Sequence, residues 1–279
     1  MRSHARPIKR LGQHFLRDRS LSQRIVESLG IGESDQILEI GPGEGALTEF
    51  LLESSAERIV GVEIDRRLAG GLRRRFGHDP RFELLEEDFL KLDLLTIIKV
   101  QKKIRVVGNL PYNITSPILF KILDHRRDVQ DLTVAVQKEV GERIASPPGT
   151  KSYGIPSVLF QLFSQMDVLF SISRNAFSPK PEVDSLVLRL KFYETPLYNV
   201  KDALFFRLLL KTVFEQRRKM LKNTLKALVE DERMLHAVSL DLHRRPEELS
   251  VADFVELSNT LTQESCGRTH RGRDALSKR

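Results

Sequence analysis

The sequence predicts an α/β fold: a mostly parallel seven-stranded sheet whose last strand runs antiparallel, followed by a small all-helical domain. Three observations carry this. From about residue 25 to 194, short β-rich apolar runs alternate with segments of helical spacing. A glycine-rich turn joins the first such run to the first helical segment. Beyond residue 200 strand patterns stop, and apolar residues recur three and four apart.

Taken in order, the strand candidates are QILEI (36–40), RIVGVEI (58–64), FELLEED (82–88), IRVVGN (104–109), LTVAVQ (132–137), DVLFSIS (167–173) and DSLVLRLKF (184–192). Helical segments such as ALTEFLLESS (46–55) and SPILFKILDH (116–125) separate the first five. In the second of these, Ser116 is the expected N-cap and Pro117 the expected first helical residue. Strands alternating with helices imply a parallel sheet covered on both faces. The last two candidates are separated only by RNAFSPKPEV (174–183), so they should form an antiparallel hairpin at one edge. YETPLYNV (193–200) reads as a Pro-containing linker, and ALFFRLLLKTVF and RKMLKNTLKALV within 202–261 as helices. The expected organisation is a basic N-terminal segment (1–24), an α/β domain (25–194), a helical domain (195–264) and a polar, disordered tail (265–279).

Composition narrows the function. A hydrophobic fraction of 41% supplies a globular core. No apolar run approaches the roughly 18 residues of a membrane span. MRSHARPIKRLGQ lacks the apolar stretch of a signal peptide, so a cytoplasmic protein without membrane contact is expected. The single cysteine, Cys266, has no disulfide partner, and the seven histidines show no zinc spacing; no metal is expected. The net charge of +7 divides into +6 over residues 1–24, +4 over 265–279 and −3 between them. One internal segment, KTVFEQRRKMLKNTLK (211–226), carries six basic residues and one acidic. A polyanion partner would explain it; on charge alone, a solvated helix face explains it equally well.

The chemistry starts at LEIGPGEGALTEFLL, where Gly41, Gly43 and Gly45 lie between a strand and a helix and let the backbone approach a ligand. Glu63 ends the second strand candidate, 22 residues after Gly41, where a carboxylate can accept from ribose hydroxyls. Asp88 ends the third, where it can accept from an adenine amino group. The spacing is G-x-G-x-G, not the G-x-G-x-x-G of dinucleotide sites, and Glu39 two residues before it would repel a pyrophosphate. Glu39 suits the amino group of a methionine moiety instead. No Lys-Ser/Thr of an ATP-binding loop follows. S-adenosylmethionine (SAM) fits this pattern, and so does the antiparallel last strand, in a Rossmann-like methyltransferase sheet.

VVGNLPYNIT (106–115) ends the fourth strand with a proline that has no amide hydrogen. The Asn109 side-chain oxygen and the Leu110 carbonyl are acceptors suited to the two hydrogens of an exocyclic base amine. Pro111 stiffens the loop, and Tyr112 can stack on the base, a contact of about 1–3 kcal/mol. Phe177, in NAFSPKPEVDS, is expected to complete a sandwich around that base. The methyl would then pass in line to nitrogen with no strong general base, catalysis being mainly a matter of positioning.

LGQHFL (11–16), EIGPGEGALT, VEID (62–65), EEDFL (86–90), NLPYNITSPILF (109–120), VQKEVGERI (136–144), FSPKPEVDS (177–185) and FEQRRK (214–219) together closely resemble the ribosomal RNA adenine N6,N6-dimethyltransferases, above all the bacterial small-subunit type. The resemblance covers roughly residues 7–262. It implies SAM-dependent dimethylation of two adjacent adenines near the 3′ end of 16S ribosomal RNA in the immature small subunit, with a role in late subunit biogenesis. It also implies that residues 1–24 pack on the SAM site. Position by position it places His14, Leu16, Gly41, Gly43, Glu63, Asp88 and Asn109 at the cofactor, and Asn109, Leu110, Pro111, Tyr112 and Phe177 at the reacting base. His14 stands where the family often has asparagine. Segment 211–226 resembles the family's RNA-facing helix, with Arg217, Arg218, Lys219 and Lys222 meeting phosphates in a salt-sensitive manner. The macrolide-resistance enzymes, which modify 23S RNA, share the glycine and Asn-x-Pro-aromatic loops; NLPYN, VQKEV and FEQRRK favour the small-subunit type. A non-catalytic nucleic-acid-binding relative is the alternative of a different class, and the intact loops argue against it. DNA is not an expected partner, and a monomer is expected.

Overall fold

A computed structural model of the chain describes residues 8, 11–98, 102–229 and 232–262. The expected tail at 265–279, Cys266 and most of the first ten residues lie outside the described residues. Two compact units form: one from residues up to 141 together with 163–194, the other from 142–162 together with 195 onward.

In chain order the first unit contains β1 (Phe15–Leu16), α1 (Arg19–Leu29), β2 (Gln36–Ile40), α2 (Thr48–Glu53), β3 (Arg58–Val62), α3 (Arg66–Phe76), β4 (Phe82–Leu85), β5 (Ile104–Asn109), α4 (Thr115–Asp124) and β6 (Val129–Gln137). Helices α5 (Lys138–Ala145) and α6 (Ile155–Phe163) follow, and then β7 (Ser164–Ile172), β8 (Phe177–Ser178) and β9 (Ser185–Phe192). Seven strands make one sheet in the order β4-β3-β2-β5-β6-β9-β7. The five from β4 to β6 are mutually parallel, whereas β9 runs antiparallel to both β6 and β7. The hairpin expected of the last two long strands is therefore present, with β7 at the edge. The two-residue strands β1 and β8 pair separately, Phe15 opposite Ser178 and Leu16 opposite Phe177.

This order explains where a ligand can sit. After β2 the chain turns to β3 on one side and later returns to β5 on the other, so a crevice opens at the C-terminal ends of β2 and β5. Every residue of β2 is buried, as are Ile104–Gly108 of β5, because helices cover both faces of a parallel sheet. At the opposite ends of the strands Arg105 grips Asp131 through Nε and Nη2 (2.9 and 2.6 Å) and Asp35 through Nη1 (2.7 Å). Arg189 of β9 adds a second contact to Asp131 at 2.9 Å. This buried cluster ties β5, β6 and β9 together.

Local signals set the helix ends. Asp18 caps α1 by accepting from the amides of Ser20 and Leu21, and Gly30 closes it in the left-handed region. Helix α4 differs from expectation, because it begins at Thr115 after an Ile114 cap and not at Ser116. The cause lies in the preceding turn: the Pro111 carbonyl accepts from Ile114 N and from Thr115 Oγ1, and that turn runs straight into the helix. Pro117 still falls in the first turn, where a missing amide hydrogen breaks no helical bond.

In the second unit, Asp202 caps α7 (Ala203–Glu215), which buries Phe206, Leu209, Leu210 and Val213 along one stripe. Helix α8 (Leu221–Thr224) follows, and residues 251–262 are helical. Phe214 packs against Tyr153 and Phe254, with ring centroids 6.1 and 5.6 Å apart. Residues 142–162, which the linear pattern had assigned to the α/β part, group with this unit. Hydrogen bonds hold them there: Gly149 N donates to Glu247 O, and Arg217 Nη1 to Lys151 O. Among the described residues no helix is long and apolar enough to cross a membrane.

Replacing Arg105 with Met should destabilise the protein by about 3–5 kcal/mol, because buried Asp131 is left with a depleted set of donors. Urea unfolding measures this.

Candidate active site

At the C-terminal ends of β2, β3 and β5 lies a cavity of about 250 Å³, lined by segments 11–16, 39–47, 62–64, 87–90 and 109–114. The glycine loop forms its floor. Gly41 has φ +65°, and a Cβ there would meet no protein atom within 4 Å. Since Gly41 lines the cavity, a side chain at this position would occupy the ligand space. The loop is held by Gly41 N donating to Val62 O, and by Gly43 N donating to Glu63 Oε2 at 3.0 Å.

Two buried carboxylates face the cavity. Glu63 lies just beyond β3; its Oε1 accepts from Asp65 N at 2.8 Å, so both oxygens are fixed while each keeps a lone pair for a further donor. Burial raises its pKa. Glu39, inside β2, accepts from Thr48 Oγ1 at 2.6 Å. Burial, reinforced by the neighbouring Glu63, pushes its pKa up to about 8. At neutral pH and without a cation nearby, Glu39 therefore holds its proton.

Asp88 lies three residues past the end of β4, in a turn where Oδ1 accepts from Leu90 N at 2.9 Å. Lys121 of α4 secures that turn: Nζ donates to Phe89 O at 2.7 Å, to Leu90 O at 3.1 Å and to Leu92 O. The sequence reading missed Lys121; the signal was a lone lysine inside the apolar run ILFKIL.

The NLPY loop closes another side. Leu110 N donates to Ala135 O on β6, which sets where the loop leaves the sheet. Asn109 Nδ2 donates to His14 O at 2.8 Å, and its Oδ1 is buried without a hydrogen-bond partner. Tyr112 hydroxyl shares a 2.8 Å hydrogen bond with Ser185 Oγ, and burial raises the phenol's pKa.

Segment 11–16 straps these parts together. Gln13 Nε2 donates to Asp65 Oδ2, and His14 Nδ1 to Pro179 O at 2.8 Å. Gly12, with φ +62°, passes so close to Asn113 that a Cβ would fall 2.6 Å from its Oδ1. The structure thus brings His14, Leu16, Gly41, Gly43, Glu63, Asp88, Asn109, Leu110, Pro111 and Tyr112 to one cavity.

Two expectations change. Phe177 does not line the cavity; it is 4% exposed and packs with Leu16, Ile25, Val107 and Val187 in the core. Pairing of β8 with β1 turns its ring inward, and the ring that faces Tyr112 is His14, with centroids 5.0 Å apart and planes 30° apart. The basic segment 211–226 is not one helix. It breaks between Glu215 and Leu221, so Arg217, Arg218 and Lys219 sit in a turn while Lys222 lies in α8. Arg217 is drawn to Glu247 (2.7 Å) within the helical unit, whereas Arg218 and Lys219 are exposed.

The pattern of the family described as ribosomal RNA adenine dimethylase matches residues 5–263. The chain belongs to this family. It is 41% identical over 260 residues to ribosomal RNA small subunit methyltransferase A of Pseudomonas aeruginosa, covering 92% of this chain and 96% of that one. The corresponding protein of Alcanivorax borkumensis is 43% identical over 259 residues, covering 93% and 91%. Among solved structures, a dimethyladenosine transferase from Plasmodium falciparum superposes with a TM-score of 0.76 at 26% identity, covering 88% of this dimethylase and 96% of that chain. The 23S rRNA methyltransferase ErmE gives 0.67 at 26% identity, covering 89% and 99%.

Glu39 offers a direct check. The folded dimethylase keeps this proton between its ordinary pKa of 4.5 and about 8, whereas the unfolded chain releases it. Over that window the group therefore makes the native state progressively less stable as pH rises. Glu39→Gln should melt at a higher temperature than the parent above pH 8, with the difference shrinking toward pH 4.5, as followed by circular dichroism.

Proposed function

We propose that this dimethylase uses SAM to dimethylate the N6 amines of two adjacent adenines near the 3′ end of 16S ribosomal RNA, in the immature small subunit. The observation that carries the reading is the buried, partnerless Oδ1 of Asn109 at the mouth of the NLPY loop. A buried acceptor without a donor is costly, and an amine hydrogen relieves it.

The residues present fit the cofactor. Gly41 leaves room for it, Glu63 offers acceptors for ribose hydroxyls, and Asp88 one for an adenine amino group. Glu39 supplies a carboxylate whose ionised form a nearby positive charge would restore. When bound, SAM supplies an electrophilic methyl group on a sulfonium. The chain's own work is positioning: Asn109 and the Leu110 carbonyl accept from the base amine, Pro111 limits the loop, and Tyr112 presents a ring braced by Ser185 and His14. Arg218, Lys219 and Lys222 are proposed to meet RNA phosphates, and Arg217 can join them by exchanging its Glu247 partner. Sequence identity favours the small subunit over the 23S target: the small-subunit relatives share 41–43% with this chain, ErmE 26%.

Radiolabelled methyl transfer from SAM to unmethylated small subunits, large subunits and naked RNA tests the reading. Incorporation should occur in the small subunit, in two adjacent adenines; label confined to large-subunit RNA would reject it. Tyr112→Ala should lower turnover by about 10²-fold through loss of base positioning, while cofactor affinity measured by calorimetry stays unchanged.

A further inference from the structure

A second groove, of about 880 Å³, lies beside the cofactor cavity between the start of α1, the glycine loop and α3. The two share Leu16, Gly43, Glu44, Ala46 and Leu68 as a common wall. Five arginines line the groove (Arg17, Arg19, Arg67, Arg74 and Arg75) against two glutamates, Glu44 and Glu49. Helix α3, RRLAGGLRRRF, carries no acidic residue.

Three of these arginines are pre-oriented. The guanidinium of Arg19 lies 4.7 Å over the Phe50 ring, that of Arg75 4.5 Å over Phe76, and that of Arg17 5.6 Å over Phe15. Stacking fixes the plane of a guanidinium and leaves its N–H edges to bond outward. At present those edges meet carboxylates: Arg17 meets Glu44, Arg19 meets Glu49 at 2.6 Å, and Arg75 meets Glu49 at 3.4 Å. Such half-exposed pairs contribute only about 0–1 kcal/mol, so a phosphate can displace the carboxylate at little expense. Gly71, within α3, lines the groove, and a Cβ there would meet nothing, so backbone alone forms the wall at that point. A glycine inside a helix costs about 0.5–1 kcal/mol relative to alanine, a loss the groove's open wall accounts for.

We infer that this groove holds a stretch of RNA sugar-phosphate backbone, making a second RNA contact on the α/β unit beside the methyl-transfer site. The inference rests on the proposed RNA substrate and adds a contact surface distinct from the basic segment 211–226. A ribose-phosphate chain suits the feature better than a single phosphate does, because the five cations line a groove more than three times the volume of the cofactor cavity.

The test is the triple variant Arg19→Gln, Arg74→Gln, Arg75→Gln, which leaves the α3 cap and its buried face untouched. Its calorimetric affinity for S-adenosylhomocysteine should match the parent and its unfolding should stay cooperative with only a small drop in melting temperature, from the lost surface pairs, showing that fold and cofactor site persist. Affinity for unmethylated small subunits should fall at least about 10-fold, and the slope of log K against log salt should flatten by about 0.7 for each lost single-strand phosphate contact. Unchanged affinity and slope would overturn the inference. So would a groove that takes inorganic phosphate, seen as parent-only stabilisation by phosphate, while RNA affinity stays at the parent level. If the parent methylates only large-subunit RNA, the preceding reading fails, and the same variant scored on that RNA still decides the groove.

Discussion

One hydrogen bond orients the site. The His14 carbonyl can only accept, so the Asn109 amide must offer it Nδ2, and the opposite end of the same group, Oδ1, is left buried without a partner in a residue that lines the cavity. An acceptor buried in this state costs about 1–3 kcal/mol. Strand β5 delivers Asn109 to that point and the Leu110 amide anchors the next residue to β6, so the sheet itself fixes the geometry. The N-terminal strap is what chooses the direction of the amide.

The carboxylates express the same principle in charge. Glu39 and Glu63 are buried side by side at the ends of adjacent strands, and burial raises the pKa of both. The amides of Gly43 and Asp65 stabilise ionised Glu63 at both oxygens, whereas Glu39 draws on Thr48 alone, through its hydroxyl and its backbone. The two acids thus occupy unequal environments: one is prepared for neutral donors such as hydroxyls, the other for a cation. A cationic ligand would repair the second environment and gain binding energy from strain already present in the fold.

Much of this was legible in the sequence because the sheet is buried on both faces. QILEI and IRVVGN are uninterrupted runs whose ends coincide with β2 and β5, and the groups that line the cavity sit at those ends. Other features left no periodic trace. Strands β1 and β8 have two residues each, too few to alternate, yet their pairing decides that Phe177 faces the core and that His14 meets Tyr112. The break after Glu215 was hidden because apolar spacing continues on both sides of it; the ion pair of Arg217 with Glu247, 30 residues away, is a tertiary matter. Residues 142–162 join the helical unit through hydrogen bonds to residues still further along the chain.

The strap also carries a consequence for how the molecule is made. The contacts of His14 reach 95 residues ahead to Asn109 and 165 ahead to Pro179. Loop closure over such spans is entropically expensive until the intervening sheet has drawn the ends together. A chain folded only as far as β6 already owns the glycine loop, both buried acids and NLPY, with Asn109 and Tyr112 for His14 to meet, but it lacks β8 and Pro179, which complete the strap's hold. Complete seating of the strap therefore waits for β8 and Pro179, which makes it a late event in folding.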